Sequence, residues 1–136
     1  PAYETANEQL DQLSKKWQKE VENMLAEVQT MYKNYQTELV FLTDDMKVKR
    51  EEEIVAKEKE ANELKRKYFG VEGELYKKRE SLMKPIHEEI FTAVQSVATE
   101  KGYQLIIDKS SDMSLVYAAP KIDVSDEVLE KLGYSK

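Results

Sequence analysis

The chain has 136 residues, 35% of them charged and 40% hydrophobic, with four glycines, three prolines, no cysteine and a net charge of −6. Glu, Lys, Gln, Ala and Leu dominate up to residue 101, which is the composition of long helices and excludes a large compact core. The missing cysteines exclude disulfides and thiolate chemistry, no apolar run approaches the roughly 18 residues of a membrane helix, and the +2 carried by residues 47–67, between −5 before and −3 after, is too interleaved with Glu for a nucleic-acid patch, while contact with a membrane surface stays open without support from the net charge.

The chain begins at Pro1 with neither an initiator Met nor an apolar leader core, as expected of a processed or trimmed protein. From Leu10 an apolar stripe runs through Leu13, Trp17, Val21, Met24, Val28, Met31, Tyr35, Leu39 and Leu42 in steps of three and four. That pattern predicts a gently supercoiled helix of roughly 60 Å. Thr43, followed by Asp44 and Asp45, is a helix N-cap, so a tight antiparallel turn is expected near 42–45.

The return helix opens with KVKREEEIVAKEKEANELKRK, residues 47–67, in which 14 of 21 side chains are charged. Glu53 with Lys57 and Glu63 with Lys67 are spaced as i,i+4 ion pairs on a solvated face. The two arms are unequal. Met24, Met31, Tyr32, Tyr35, Leu39 and Phe41 of the first are answered by Val48, Ile54, Val55, Ala61 and Leu64 of the second. Either the first face packs wholly on the second helix, or part of it stays uncovered as an adaptable Met- and Tyr-rich surface for client chains.

Gly70 and Gly73 predict a bend or bulge near 69–73, and Pro85 a kink in a continuing helix; all three are hinge candidates. Beyond them Leu82, Ile86, Ile90, Val94 and Val97 form a further stripe, and Gly102 is a helix stop. His87, the only histidine, has Glu88 and Glu89 beside it but no second imidazole or thiol, which reads as a structural residue. No metal site, cofactor site, phosphate loop or catalytic triad can be assembled, so the chain is not expected to be an enzyme.

Residues 101–119, KGYQLIIDKSSDMSLVYAA, alternate as a β-hairpin: Tyr103, Leu105 and Ile107, a polar turn, then Met113, Leu115 and Tyr117, with Ile106 and Val116 on the other face. A lone two-stranded hairpin is marginal in water, and the chain offers no third strand. Copies of the chain would have to supply the rest, closing a small barrel through Tyr103, Leu105, Ile106, Ile107, Leu115, Val116 and Tyr117. Ser125 as N-cap, Asp126 and Glu127 in the first turn, and Gly133 as stop predict a short last helix. The fold expected is mainly α with a small β part. Residues 1–101 form a helical hairpin and its root, and residues 102–136 a β-hairpin body with the last helix, three copies making a barrel.

The segments HEEIFTAVQSVATEKGYQLIIDKSS, LVYAAPKIDVSDEVLEKLG and LTDDMKVKREEEI resemble the OmpH/Skp family of periplasmic chaperones, from about Leu10 to Gly133. The resemblance implies a homotrimer whose helical arms hold unfolded outer-membrane β-barrel precursors without ATP, in the periplasm, with no cofactor. Members of that family begin with a secretion signal and a strand that joins the body, neither of which is read in the sequence from Pro1 onward, and the best-known ones are basic where this chain has a pI near 5.0. The alternative reading is a coiled-coil spacer docking one folded partner.

Overall fold

A computed structural model describes residues 1–134. It contains α1 (Ala2–Glu38), α2 (Asp44–Phe69), α3 (Glu74–Lys101) and α4 (Ser125–Lys131), with 3₁₀ turns at Leu39–Phe41 and Pro120–Ile122. The chain divides into two compact units, Pro1–Leu82 and Met83–Lys136.

In the first unit α1 and α2 run antiparallel. The 37 residues of α1 span about 56 Å at 1.5 Å each. Its apolar stripe is the buried side: Leu10, Val21 and Tyr35 are buried and the other stripe residues half-buried. The turn closes by a cap, in which the Thr43 Oγ1 accepts from the Met46 N–H at 3.3 Å and Asp44 and Asp45 occupy the positive end of α2.

Between α2 and α3 the chain turns through residues 70–73 by backbone crowding. The Gly70 N–H donates to the Arg66 carbonyl at 2.8 Å and the Gly73 N–H to the Gly70 carbonyl at 2.9 Å. A Cβ on Gly70 would stand 2.3 Å from that Arg66 oxygen, and one on Gly73 would stand 2.9 Å from the oxygens of Gly70 and Lys67. Both glycines are needed for space, whereas the left-handed residue of the turn is Glu72, at φ 58°. Pro85 lies inside α3, which continues past it.

The second unit holds the rest of α3, where Met83, Ala93 and Val97 are buried. At Gly102, φ 72°, the Tyr103 N–H bonds the Ala98 carbonyl at 2.8 Å, the Schellman closure of a helix. Gly133, φ 85°, closes α4 in the same way, with the Tyr134 N–H on the Leu129 carbonyl at 2.9 Å. Lys101 bonds Glu127 at 3.2 Å, and Lys131 bonds Glu100, tying the two helix ends.

The expected β-hairpin is overturned: among the described residues there is no strand and no sheet, so no β body and no barrel. The physical reason lies in two Asp-x-Ser steps at and just after the expected turn, a third leading into α4. Asp108 accepts from the Ser110 N–H and hydroxyl at 2.9 and 2.6 Å, Asp112 from Ser114 at 2.9 and 2.5 Å, and Asp123 from Ser125 at 2.9 and 2.5 Å. The Asp108 carbonyl also accepts from Ser111 and Asp112, and the Asp112 carbonyl from Leu115. The turns at Asp108 and Asp112 carry irregular backbone on to residue 115 and take the Ser114 and Leu115 N–H groups that the second strand would need. Tyr103, Leu105, Ile107, Leu115, Val116 and Tyr117 are consequently exposed and only Ile106 is half-buried. Ser125 is corrected too. It is the first residue of α4 and not its cap, and the Asp123 carboxylate takes its N–H instead.

Gly70→Ala should lower stability by roughly 1–3 kcal/mol through backbone overcrowding, while Gly102→Ala, with open space around it, should cost about 1–2 kcal/mol through φ alone. Urea unfolding followed by circular dichroism reads both. Equal stability of Gly70→Ala and the parent would contradict the crowded turn.

Hydrogen bonds to Ser110, Ser114 and Ser125 hold the carboxyls of Asp108, Asp112 and Asp123 below the usual aspartate range, Lys109 adding most at Asp123. Because the folded pKa is depressed, the turns are at full strength above the ordinary carboxylate range and are lost as pH falls through the lowered values. The amide resonances of Ser110, Ser114 and Ser125 should therefore titrate below pH 3.8, the ordinary aspartate value. Midpoints at that value would show that the turns do not form.

Candidate functional site

The candidate site is the surface of the arms, and their register decides what it presents. Trp17 stacks face to face on Tyr68, with ring centroids 4.6 Å apart and planes 5° from parallel. Counting inward from that layer in an antiparallel pair sets Val21 level with Leu64, Met24 with Ala61, Val28 with Lys57, Met31 with Ile54 and Tyr35 with Arg50. At one layer a large side chain faces a small one. Ala61 is fully buried beside Met24, where anything bulkier would push the helices apart.

Polar ties run along the seam. The Tyr35 hydroxyl donates to Glu51 at 2.5 Å near the turn, and the Tyr68 hydroxyl donates to Glu20 at 2.6 Å at the other end. Between them Lys57 reaches Glu27 at 3.0 Å, and on the turn side of Tyr35 Arg50 reaches Glu38 at 3.2 Å. The neighbouring carboxylates raise the pKa of both tyrosines, the hydrogen bond being the main cause, and Glu27 raises that of Lys57. The bond expected between Glu53 and Lys57 along the helix is replaced by this cross-arm one, and Glu63 pairs with Lys59 at 3.9 Å instead of Lys67. Lys57 bridges because its position faces α1: its aliphatic stem fills a seam site that no apolar residue occupies, while its ammonium reaches out to the acid.

The client-contact candidates separate in this arrangement. Tyr35 is buried in the seam, and Met24, Met31 and Leu39 are half-buried there. Tyr32 is 55% exposed and Phe41 83%. The return-arm residues taken as seam partners also divide: Ile54, Ala61 and Leu64 face inward, whereas Val48 and Val55 are exposed.

The sequence reading missed Tyr68 as a seam residue, although it lies one heptad beyond Ala61. It also missed Val40, 84% exposed, and Met46 at the turn. The run Leu39-Val40-Phe41-Leu42 was the available signal: four consecutive apolar residues cannot share one helix face, so two of them must point outward. Val40 and Phe41 do so in the 3₁₀ turn. Of the hinge candidates, Gly70 and Gly73 form the crowded turn and Pro85 lies within α3. His87 is exposed on α3. No helix among the described residues is long and apolar enough to cross a membrane, and no cluster of three acidic or imidazole side chains there could hold a cation.

A family model described as Outer membrane protein (OmpH-like) matches residues 1–132. No curated protein matches the chain.

Tyr35→Phe and Tyr68→Phe each remove one hydroxyl bond across the seam and leave the ring in place. Each should lower stability by about 1 kcal/mol, and the double change should be close to additive because the two sites share no partner. Thermal unfolding followed at 222 nm checks this; parent-like stability of both single variants would mean that the ties do not close the arm.

Proposed function

The chain belongs to the OmpH family, whose membership goes with a chaperone-like role toward outer-membrane proteins, and from that premise we propose that it is an ATP-independent holdase for unfolded β-barrel precursors. The observation that carries the reading is the apolar arm end. The seam is closed by its own stack and ties, so Val40, Phe41 and Met46 are left outside with no role in holding the arm together. A precursor of a membrane barrel alternates apolar residues along each future strand. Such a chain is best held by many weak, exchangeable apolar contacts, which together keep it from aggregating and separately let it go.

The working unit we propose is a homotrimer in the periplasm, with clients held between the arms of its three copies. The exposure of Tyr103, Leu105, Ile107, Leu115, Val116 and Tyr117 in one segment supports contact between copies, since so many large apolar side chains are seldom left to water together. Hinge motion at Gly70, Gly73 and Pro85 would adapt the arms to clients of different size.

The test is light scattering from an unfolded outer-membrane barrel protein diluted from urea, with and without the chain and without nucleotide. The parent should suppress aggregation, with a solution mass near three times 15.9 kDa. Val40→Asp with Phe41→Asp should weaken suppression several-fold at unchanged mass. Aggregation at the rate seen without the protein would refute the holdase reading.

A further inference from the structure

The register of the arm makes its two broad sides chemically different. In an antiparallel helix pair the positions just clockwise of each seam, viewed along each helix from its N-terminus, come together on one side, and those just counter-clockwise come together on the other. The first side carries Leu25 and Tyr32 on α1 and, at its seam edge, the half-buried Leu39 of the 3₁₀ turn, each seven residues apart, and Val48 and Val55 at the same interval on α2. Tyr32, Val48 and Val55 are 55%, 53% and 62% exposed. The opposite side carries Glu20, Asn23, Glu27, Thr30, Asn34 and Thr37 on α1, and Glu53, Ala56 and Glu60 on α2, so it is acidic as well, but it has no large apolar residue between the Trp17 layer and the turn.

Acids are threaded through the apolar side and not collected at its rim. Glu51 and Glu58 lie between the Leu25–Tyr32–Leu39 row and the valine row, and Glu22 borders the far edge. Lys65 is the one cation at the equivalent α2 positions. Apolar and anionic groups thus alternate across a surface of constant register. An extended segment whose apolar residues alternate with Lys or Arg matches it, whereas the same segment with Asp or Glu would set like charges opposite Glu51 and Glu58.

We infer that one side of the arm, the one bearing Leu25, Tyr32, Leu39, Val48 and Val55, is the client-binding side, and that it selects extended segments in which apolar residues alternate with basic ones. This rests on the holdase reading and adds to it the side used and the class of segment held.

The test uses the full chain and three labelled 15-residue peptides of identical apolar positions, with Lys, Ser or Glu between them, binding being read by fluorescence anisotropy at low salt. The Lys peptide should bind about tenfold or more tighter than the Glu peptide, with Ser between. Tyr32→Ser with Val55→Ser should weaken the Lys peptide about tenfold, and Asn34→Ser with Ala56→Ser on the other side should leave it unchanged. Glu22→Gln with Glu58→Gln should collapse the Lys-over-Glu preference; these are exposed positions, which keeps the test open if the apolar variant fails to fold. Equal binding of the three peptides, or equal losses from the two Ser pairs, would overturn the inference. Whole-precursor scattering run alongside separates the two readings: suppression by the parent with no peptide preference sinks only the side assignment, and no suppression sinks the holdase itself.

Discussion

Everything the arm presents depends on its register, and the register depends on one aromatic layer. Trp17 and Tyr68 are separated by about fifty residues of chain and meet face to face. An offset of one residue would carry Tyr68 out of the seam and turn every α2 side chain by about 100°. The stack alone is worth about 0.5–1.5 kcal/mol beyond area burial, which is modest. It acts with the Tyr68–Glu20 and Tyr35–Glu51 bonds, one at each end, so that the arm is pinned at two widely spaced points and cannot slide.

Pinning matters because the seam is poor in apolar residues on its α2 side. Ile54, Ala61 and Leu64 are its aliphatic members, and Lys47, Arg50 and Lys57 take sites that a tighter coiled coil would give to Leu or Val. Polar residues at seam positions trade stability for a defined partner and offset. Specific pairs, Lys57 with Glu27 and Arg50 with Glu38, make the offset chemically unequal to its neighbours. Exposed ion pairs add little stability each; here they discriminate between alternatives.

The α1 stripe, the Thr43 cap, the crowded glycines and the Gly102 and Gly133 stops could all be seen in the sequence, because each is a local rule acting on near neighbours. Two things could not. Lys57 looked like the partner of Glu53, since i,i+4 spacing is visible along one helix and the cross-arm distance to Glu27 is not. The 103–117 segment alternated like a hairpin, and the pattern was real, but Asp112 sits two residues before Ser114, and its carboxylate takes an N–H that the second strand would need. Period-two hydrophobicity states what a segment would bury if it paired; it does not count competing acceptors. The client-contact candidates on the arm differ in exposure for a related reason, since Tyr35 lies in the seam and Tyr32, three residues away, on its flank.

The Trp17–Tyr68 layer also gives the molecule an optical property. The chain contains a single tryptophan, and its indole lies flat against a phenol at the end of the arm farthest from the turn. All indole emission therefore originates at one place, from a chromophore stacked on its neighbour and shielded on one face from water. Separation of the arms at that end would unstack the rings and wet the indole together, so the colour and lifetime of native fluorescence report whether the long lever is closed at its base, with no label attached.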